Sequence, residues 1–176
     1  GLRVVGNPNE IAKQYYLDGA DEIIYSDCVA SLYGRNNLTG LVKKAVKDIF
    51  IPITVAGGIR SENDANLLMQ NGSDKIAINT ELFNNEKLAS SLVHRFGGQS
   101  VIISIQAKKV SKSSWEAYKN FGRDKTNIDV MDWIKKIRNY NFGELLLTSI
   151  DADGISNGFD VDLYEKASKY INIPII

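Results

Sequence analysis

Among 176 residues there is a single cysteine, Cys28, and a single histidine, His94. One thiol excludes an intrachain disulfide, and one thiol with one imidazole excludes a zinc site built on such ligands, so no metal or other cofactor is expected. Nothing in the sequence supports Cys28 as a nucleophile, and a buried structural cysteine is the expectation. His94 is expected at the surface of a helix. Charge of one sign is missing too: 21 Lys+Arg balance 21 Asp+Glu, leaving no basic surplus for nucleic acid or for an anionic membrane. Apolar stretches such as 51–56 and 101–105 fall far short of the roughly 20 residues that span a bilayer, and the first residues carry no apolar signal core. A soluble, cytoplasmic protein of small-molecule chemistry is the expected class, in keeping with 44% hydrophobic and 24% charged residues.

What is present is a rhythm. Apolar runs of four to seven residues alternate with amphipathic segments, separated by short Gly, Asn and Asp connections, as in βα units on a parallel sheet. Strands are expected at 22–27, 52–56, 74–79, 100–106, 144–149 and 173–176, with helices at 9–18, 38–49, 62–71, 86–96, 130–140 and 160–171. Asn37, Ser61 and Asp129 suit N-caps, and Gly19, Gly72 and Gly97 suit helix ends. Trp133, Ile134 and Ile137 fit a buried helical stripe. Residues 107–127 break the rhythm. Ser111 to Ser114 read as a turn, with Trp115 and Ala117 alternating against Glu116 and Tyr118, so a β-hairpin is expected there.

The sequence also repeats itself. Ile51-Pro52-Ile53 returns as Ile173-Pro174-Ile175 and Glu22-Ile23-Ile24 as Glu144-Leu145-Leu146, both at a separation of 122 residues. At the same separation Leu41-Val42-Lys43-Lys44-Ala45 lies opposite Leu163-Tyr164-Glu165-Lys166-Ala167. Two such halves make a whole of about 244 residues, close to the size of a (βα)8 barrel. Residues 1–176 are accordingly expected to be one partial barrel domain, about strands 2 to 7, with both ends reading as cuts and the first and last strands absent.

In such a barrel, chemistry gathers where strands end and loops begin. Ser26, Asp27 and Lys108 fall there. Gly57 and Gly58 follow a strand and precede a helix, so backbone N–H groups can approach an anion, and Asn79 and Thr80 end the next strand. Together these suit a phosphate. Thr148, Asp151, Asp153 and Gly154 belong to a strand-end loop with two carboxylates, able to move protons or hold sugar hydroxyls, or else simply an Asp-rich turn. Gln106 closes the strand 100–106 on the face of Ile102 and Ser104 and is expected to point into the barrel mouth. An amide there exchanges no proton near neutral pH. Glu22, Lys75 and Glu144 lie at the opposite strand ends, where charges form either an ion-pair plug or a gate.

These segments, GADEIIYSD, IPITVAGGIR, GSDKIAINT, FGELLLTSIDADG and NIPII, resemble the HisF family, the cyclase subunit of imidazole glycerol phosphate synthase, in order and spacing across the whole chain. The resemblance implies a HisA/HisF-like (βα)8 barrel with half-barrel duplication. It implies a lyase-type enzyme of histidine biosynthesis that accepts ammonia from a glutaminase partner (HisH-like) and uses it on a phosphorylated substrate. By resemblance, Gly58, Asn79 and Thr80 hold one phosphate and Gly154 lies near the other. Glu22, Lys75 and Glu144 match the ammonia gate, Asp74 the docking face, and Asp153 an aspartate near substrate. Gln106 stands where the family has a catalytic aspartate. That change, with the hairpin WEAY…GRDKT, resembles a HisF-like branch linked to amidation of a surface-polysaccharide sugar; a non-catalytic, ammonia-channelling scaffold is the further alternative.

Overall fold

The computed structural model describes residues 6–28 and 38–176, so the N-cap expected at Asn37 lies outside the described residues. The chain divides into two compact units, residues 1–76 and 77–176.

The first unit holds α1 (Pro8–Leu17), β1 (Ile23–Ser26), α2 (Leu38–Ala45), β2 (Ile53–Ala56), α3 (Glu62–Gln70) and the start of β3 (Lys75–Ile78). Strands β1 and β2 run parallel, from Ile23 opposite Ile53 to Ser26 opposite Ala56. Every residue of β2 is buried, which is why it reads as an unbroken ITVA run rather than an alternating one. Pro8 occupies the first turn of α1, and Ser61 caps α3 as expected, its hydroxyl accepting the Asp64 N–H at 3.2 Å. Cys28 corrects its expectation: it is exposed, because it lies beyond the end of β1, where the chain has left the sheet.

The second unit continues with α4 (Lys87–Phe96), β4 (Val101–Ser111), β5 (Ser114–Lys119), β6 (Asp124–Asp129), α5 (Val130–Ile137), β7 (Glu144–Ser149) and α6 (Val161–Ser168). The first half of β4 pairs parallel with β7, from Ile102 opposite Glu144 to Ala107 opposite Ser149. It does not stop at Gln106. Its second half turns into an antiparallel arm with β5, closing at Ser111 opposite Ser114, so the expected hairpin is there. A third strand, β6, completes the arm. Its polar sequence DKTNID lacks alternation; side chains fix it instead, Thr126 Oγ1 donating to the Ala117 carbonyl at 2.6 Å and Glu116 Oε1 accepting the Asn127 N–H at 2.9 Å. Asp129 caps α5 as expected, accepting from the N–H groups of Met131 and Asp132, and α5 buries Trp133, Ile134 and Ile137.

The sequence repeat is a structural repeat. Ile23 pairs with Ile53 in the first unit, and Leu145 pairs in parallel with Ile175 in the second, the same two positions 122 residues on. The hydrogen bond repeats as well: Ile23 N–H donates to the Pro52 carbonyl at 3.0 Å, and Leu145 N–H to the Pro174 carbonyl at 2.9 Å. Alternating strands and helices with parallel pairing make this an α/β fold consistent with a partial (βα)8 barrel. Among the described residues no helix is long and apolar enough to cross a membrane.

Candidate functional site

At the start of the strands in the first unit, Lys75 Nζ donates to Glu22 Oε2 at 2.8 Å, and the buried Thr54 hydroxyl donates to Glu22 Oε1 at 2.6 Å. The side chains of Lys75 and Glu22 keep only 18% and 27% of their exposure, so this polar group sits largely out of water at the point where β1, β2 and β3 begin. Beside it Asp74, exposed, uses its carboxylate to accept the Ile53 N–H at 2.8 Å. Asp74 is therefore a clip on the first residue of β2 as well as a surface charge. Glu144 opens β7 in the second unit, half-buried and opposite Ile102.

At the other end of β2, Gly57 and Gly58 have φ of 102° and 73°, left-handed values that favour glycine. A Cβ on Gly57 would lie 2.5 Å from the Asp27 carbonyl oxygen. The turn is thus held by close backbone approach. The approach to α3 is tied to its first turn, Asp64 accepting from the Arg60 N–H at 3.1 Å and from the Ser61 hydroxyl at 2.8 Å.

In the second unit the expected residues Asn79 and Gln106 meet. Asn79 Nδ2 donates to Gln106 Oε1 at 3.1 Å and to the Tyr118 carbonyl at 3.3 Å. A backbone carbonyl only accepts, so the Tyr118 contact fixes which way the Asn79 amide faces and therefore which atom Gln106 presents to it. Asn79 Oδ1 is buried with no hydrogen-bond partner among the described residues. Thr80 Oγ1 accepts the Asn120 N–H at 2.9 Å, which leaves its own O–H free to donate. Thr148 stands beside Gln106 in register. Tyr118 and Asn120 escaped the sequence reading: both belong to the arm, and their contribution is backbone, which leaves no mark in residue type.

The loop after β7 divides its carboxylates. Asp151 Oδ2 accepts the Lys109 N–H at 2.7 Å and so fastens the root of the arm. Asp153, exposed, borders a pocket of about 480 Å³ with Thr148, Gly154, Phe159, Asp160 and Tyr164. Gly154 has φ of 72° and would meet nothing within 4 Å if given a Cβ. Burial, and then the charge of Asp160, pushes the Tyr164 phenol above its ordinary value. It stays protonated and donates to the Leu147 carbonyl. Among the described residues no group of three or more His, Cys, Asp or Glu side chains is arranged to hold a metal.

The chain matches the family described as "Histidine biosynthesis protein" over residues 1–176. It is 52% identical over 176 residues to the imidazole glycerol phosphate synthase subunit HisF of Legionella pneumophila, covering 100% of this chain and 83% of that one. The subunits of the same name from Bacillus cereus strains Q1 and G9842 are 43% and 42% identical, each covering 100% of this chain and 70% of the relative. The strand repeat, the polar strand ends and this end-to-end likeness agree, and the chain belongs to the HisF family of histidine biosynthesis proteins.

Proposed function

We propose that this chain is the HisF-type subunit of a glutamine amidotransferase of the imidazole glycerol phosphate synthase kind, using ammonia from a glutaminase partner on a phosphorylated, sugar-like substrate. The observation that carries the reading is the likeness, over all 176 residues of this chain, to proteins of that name. The geometry supports it at each end of the strands. Glu22, Lys75 and Thr54 form a largely desolvated polar group through which a small, neutral, hydrogen-bonding molecule such as ammonia can be handed on, with Glu144 as the matching residue of the second repeat. Asp74 is the reading's contact for the glutaminase. At the opposite ends the N–H groups of Gly57 and Gly58 in the first unit suit an anion; in the second unit the Thr80 O–H is the donor for one phosphate, with Asn79 holding Gln106 and the Tyr118 carbonyl beside it, and Thr148 and Gly154 serve the other, with Asp153 as a carboxylate lining the pocket. Asp151, whose carboxylate is engaged with the arm, orients rather than reacts.

Gln106 favours a second reading, in which the substrate is a different phosphorylated sugar, one belonging to surface polysaccharide. A neutral amide held by Asn79 supports binding but not the general acid–base catalysis, worth roughly 10²- to 10⁴-fold, that an aspartate supplies there. The experiment that separates them is turnover of the bis-phosphorylated ribotide of histidine biosynthesis with an ammonium salt as nitrogen source. Imidazole glycerol phosphate formed at ordinary rates supports the first reading. No product, with the ribotide not bound, leaves the second; a ribotide that binds without turning over makes Gln106 a loss of chemistry at the first site.

A further inference from the structure

One carboxylate ties together four elements of the second unit. Asp160 caps α6, its Oδ1 accepting the Leu163 N–H at 3.4 Å, while Oδ2 accepts Trp115 Nε1–H at 2.8 Å from β5 and the Ser149 hydroxyl at 3.3 Å from β7. Lys109 Nζ of β4 lies 3.9 Å from Oδ1, and the Asp160 side chain is only 11% exposed. Trp115 is buried at 1% exposure between two cations, with Lys109 and Lys166 Nζ at 5.1 and 5.7 Å from its ring centroid. Lys166 also donates to the Ser113 carbonyl at the turn of the arm.

We propose that Asp160 is a positioning residue that sets the antiparallel arm β4–β5–β6, and through the arm the substrate-facing side chains Asn79, Gln106 and Thr80. The mechanical link is β5. Trp115 and Tyr118 lie three residues, about 10 Å, apart on this one strand. Near its start Trp115 is drawn to Asp160; farther along Tyr118 offers its carbonyl to Asn79, and just beyond its end Asn120 gives its N–H to Thr80. The tip that makes this last contact is conformationally costly. Asn120, Phe121 and Gly122 take φ of 52°, 56° and 74° in succession, an arrangement that persists only if the rest of the arm is held. Asp160 supplies that hold at the opposite end of β5, beside the Ser111–Ser114 turn. It touches none of the three substrate-facing side chains.

The assignment rests on the proposed phosphate role of Thr80 for one arm of its test only. Asp160→Ala and Trp115→Phe each remove the same charge-assisted bond, from opposite sides, and Trp115→Phe keeps an aromatic ring in the core. Hydrogen exchange followed by NMR is expected to show the Asn120 amide opening about tenfold faster in both, the scale of one such bond, with the Ile103 and Ile105 amides of β4 unchanged. Asp160→Asn, which keeps an acceptor oxygen, is expected to restore most of the protection. Titration with inorganic phosphate is expected to give a dissociation constant about fivefold weaker in the first two variants, on the same scale. Uniform acceleration throughout residues 77–176, or none at Asn120, overturns the positioning role, as does phosphate binding of wild-type strength in the variants. Failure of the wild-type chain to bind phosphate counts against the anion-site reading instead, and leaves the exchange result to decide on Asp160.

Discussion

The two repeats of this chain agree where strands pair and disagree where strands end. Ile23 on Ile53 and Leu145 on Ile175 share one register and one hydrogen bond, yet the residues around them have been reassigned. Thr54, donor to Glu22, corresponds to Ile176; Val42, buried in α2, corresponds to Tyr164, whose hydroxyl reaches the Leu147 carbonyl; Leu38 corresponds to Asp160. Pairing of apolar strands is what either half needs in order to fold, and the polar substitutions at the rim are what make the halves chemically unequal.

Substitutions test that division. The largest effect is expected from Gly57→Ala, which puts a Cβ 2.5 Å from the Asp27 carbonyl at a left-handed φ; a loss of about 3 kcal/mol or more follows, read by denaturant unfolding, and a loss below about 1 would show that the turn yields. Next, Thr54→Val makes the first repeat resemble the second at its base, removing the hydroxyl from Glu22. It is expected to cost about 2 kcal/mol, and equal stability would mean that Glu22 finds a replacement donor.

Tyr164→Phe does the reverse, giving the second repeat an apolar residue like Val42, at a cost of about 1 kcal/mol near neutral pH. Because the folded phenol titrates above its ordinary 10.0, its contribution is complete below that value and lost as pH rises through the higher folded one. The variant should therefore lose less stability than the wild type between about pH 8 and about pH 11; Tyr25 and Tyr140, raised chiefly by burial, keep part of the slope in both. An identical slope would show that the phenol does not feel its site. The smallest effect belongs to Gly154→Asn, which retains a residue tolerant of left-handed φ in open space. Stability should stay within about 0.5 kcal/mol, so any loss of phosphate affinity reports on the loop as a binding element.

Much of this was legible in the sequence. The strands at 53–56, 75–78 and 144–149 emerge from apolar runs bounded by Gly and Asn, and the caps Ser61 and Asp129 from short polar side chains ahead of helices. The repeat was visible as identity at one separation and turned out to be a shared register. What stayed hidden depends on partners distant in the chain. The approach of Asn79 to Gln106 spans 27 residues and that of Trp115 to Asp160 spans 45; Asp160 looks from its neighbours like an ordinary N-cap, and β6 is held by two side-chain bonds rather than by any apolar pattern. Cys28 was misread because residue type reports average burial, and its location past a strand end overrides the average.

The shared register has a consequence for how the chain is made. Two Ile-Pro-Ile segments, each shaped to lie beside an apolar strand, face two strands of like pattern, and what separates them locally is the Thr54–Glu22 hydrogen bond, which Ile176 cannot make. On the ribosome the ambiguity does not arise: at roughly 5–20 residues per second the first segment has emerged for several seconds, long enough to pair, before the second is translated. A chain diluted from denaturant has no such schedule, and both segments reach for both strands at once. The order of synthesis adds to the discrimination that a single side-chain bond gives the strands.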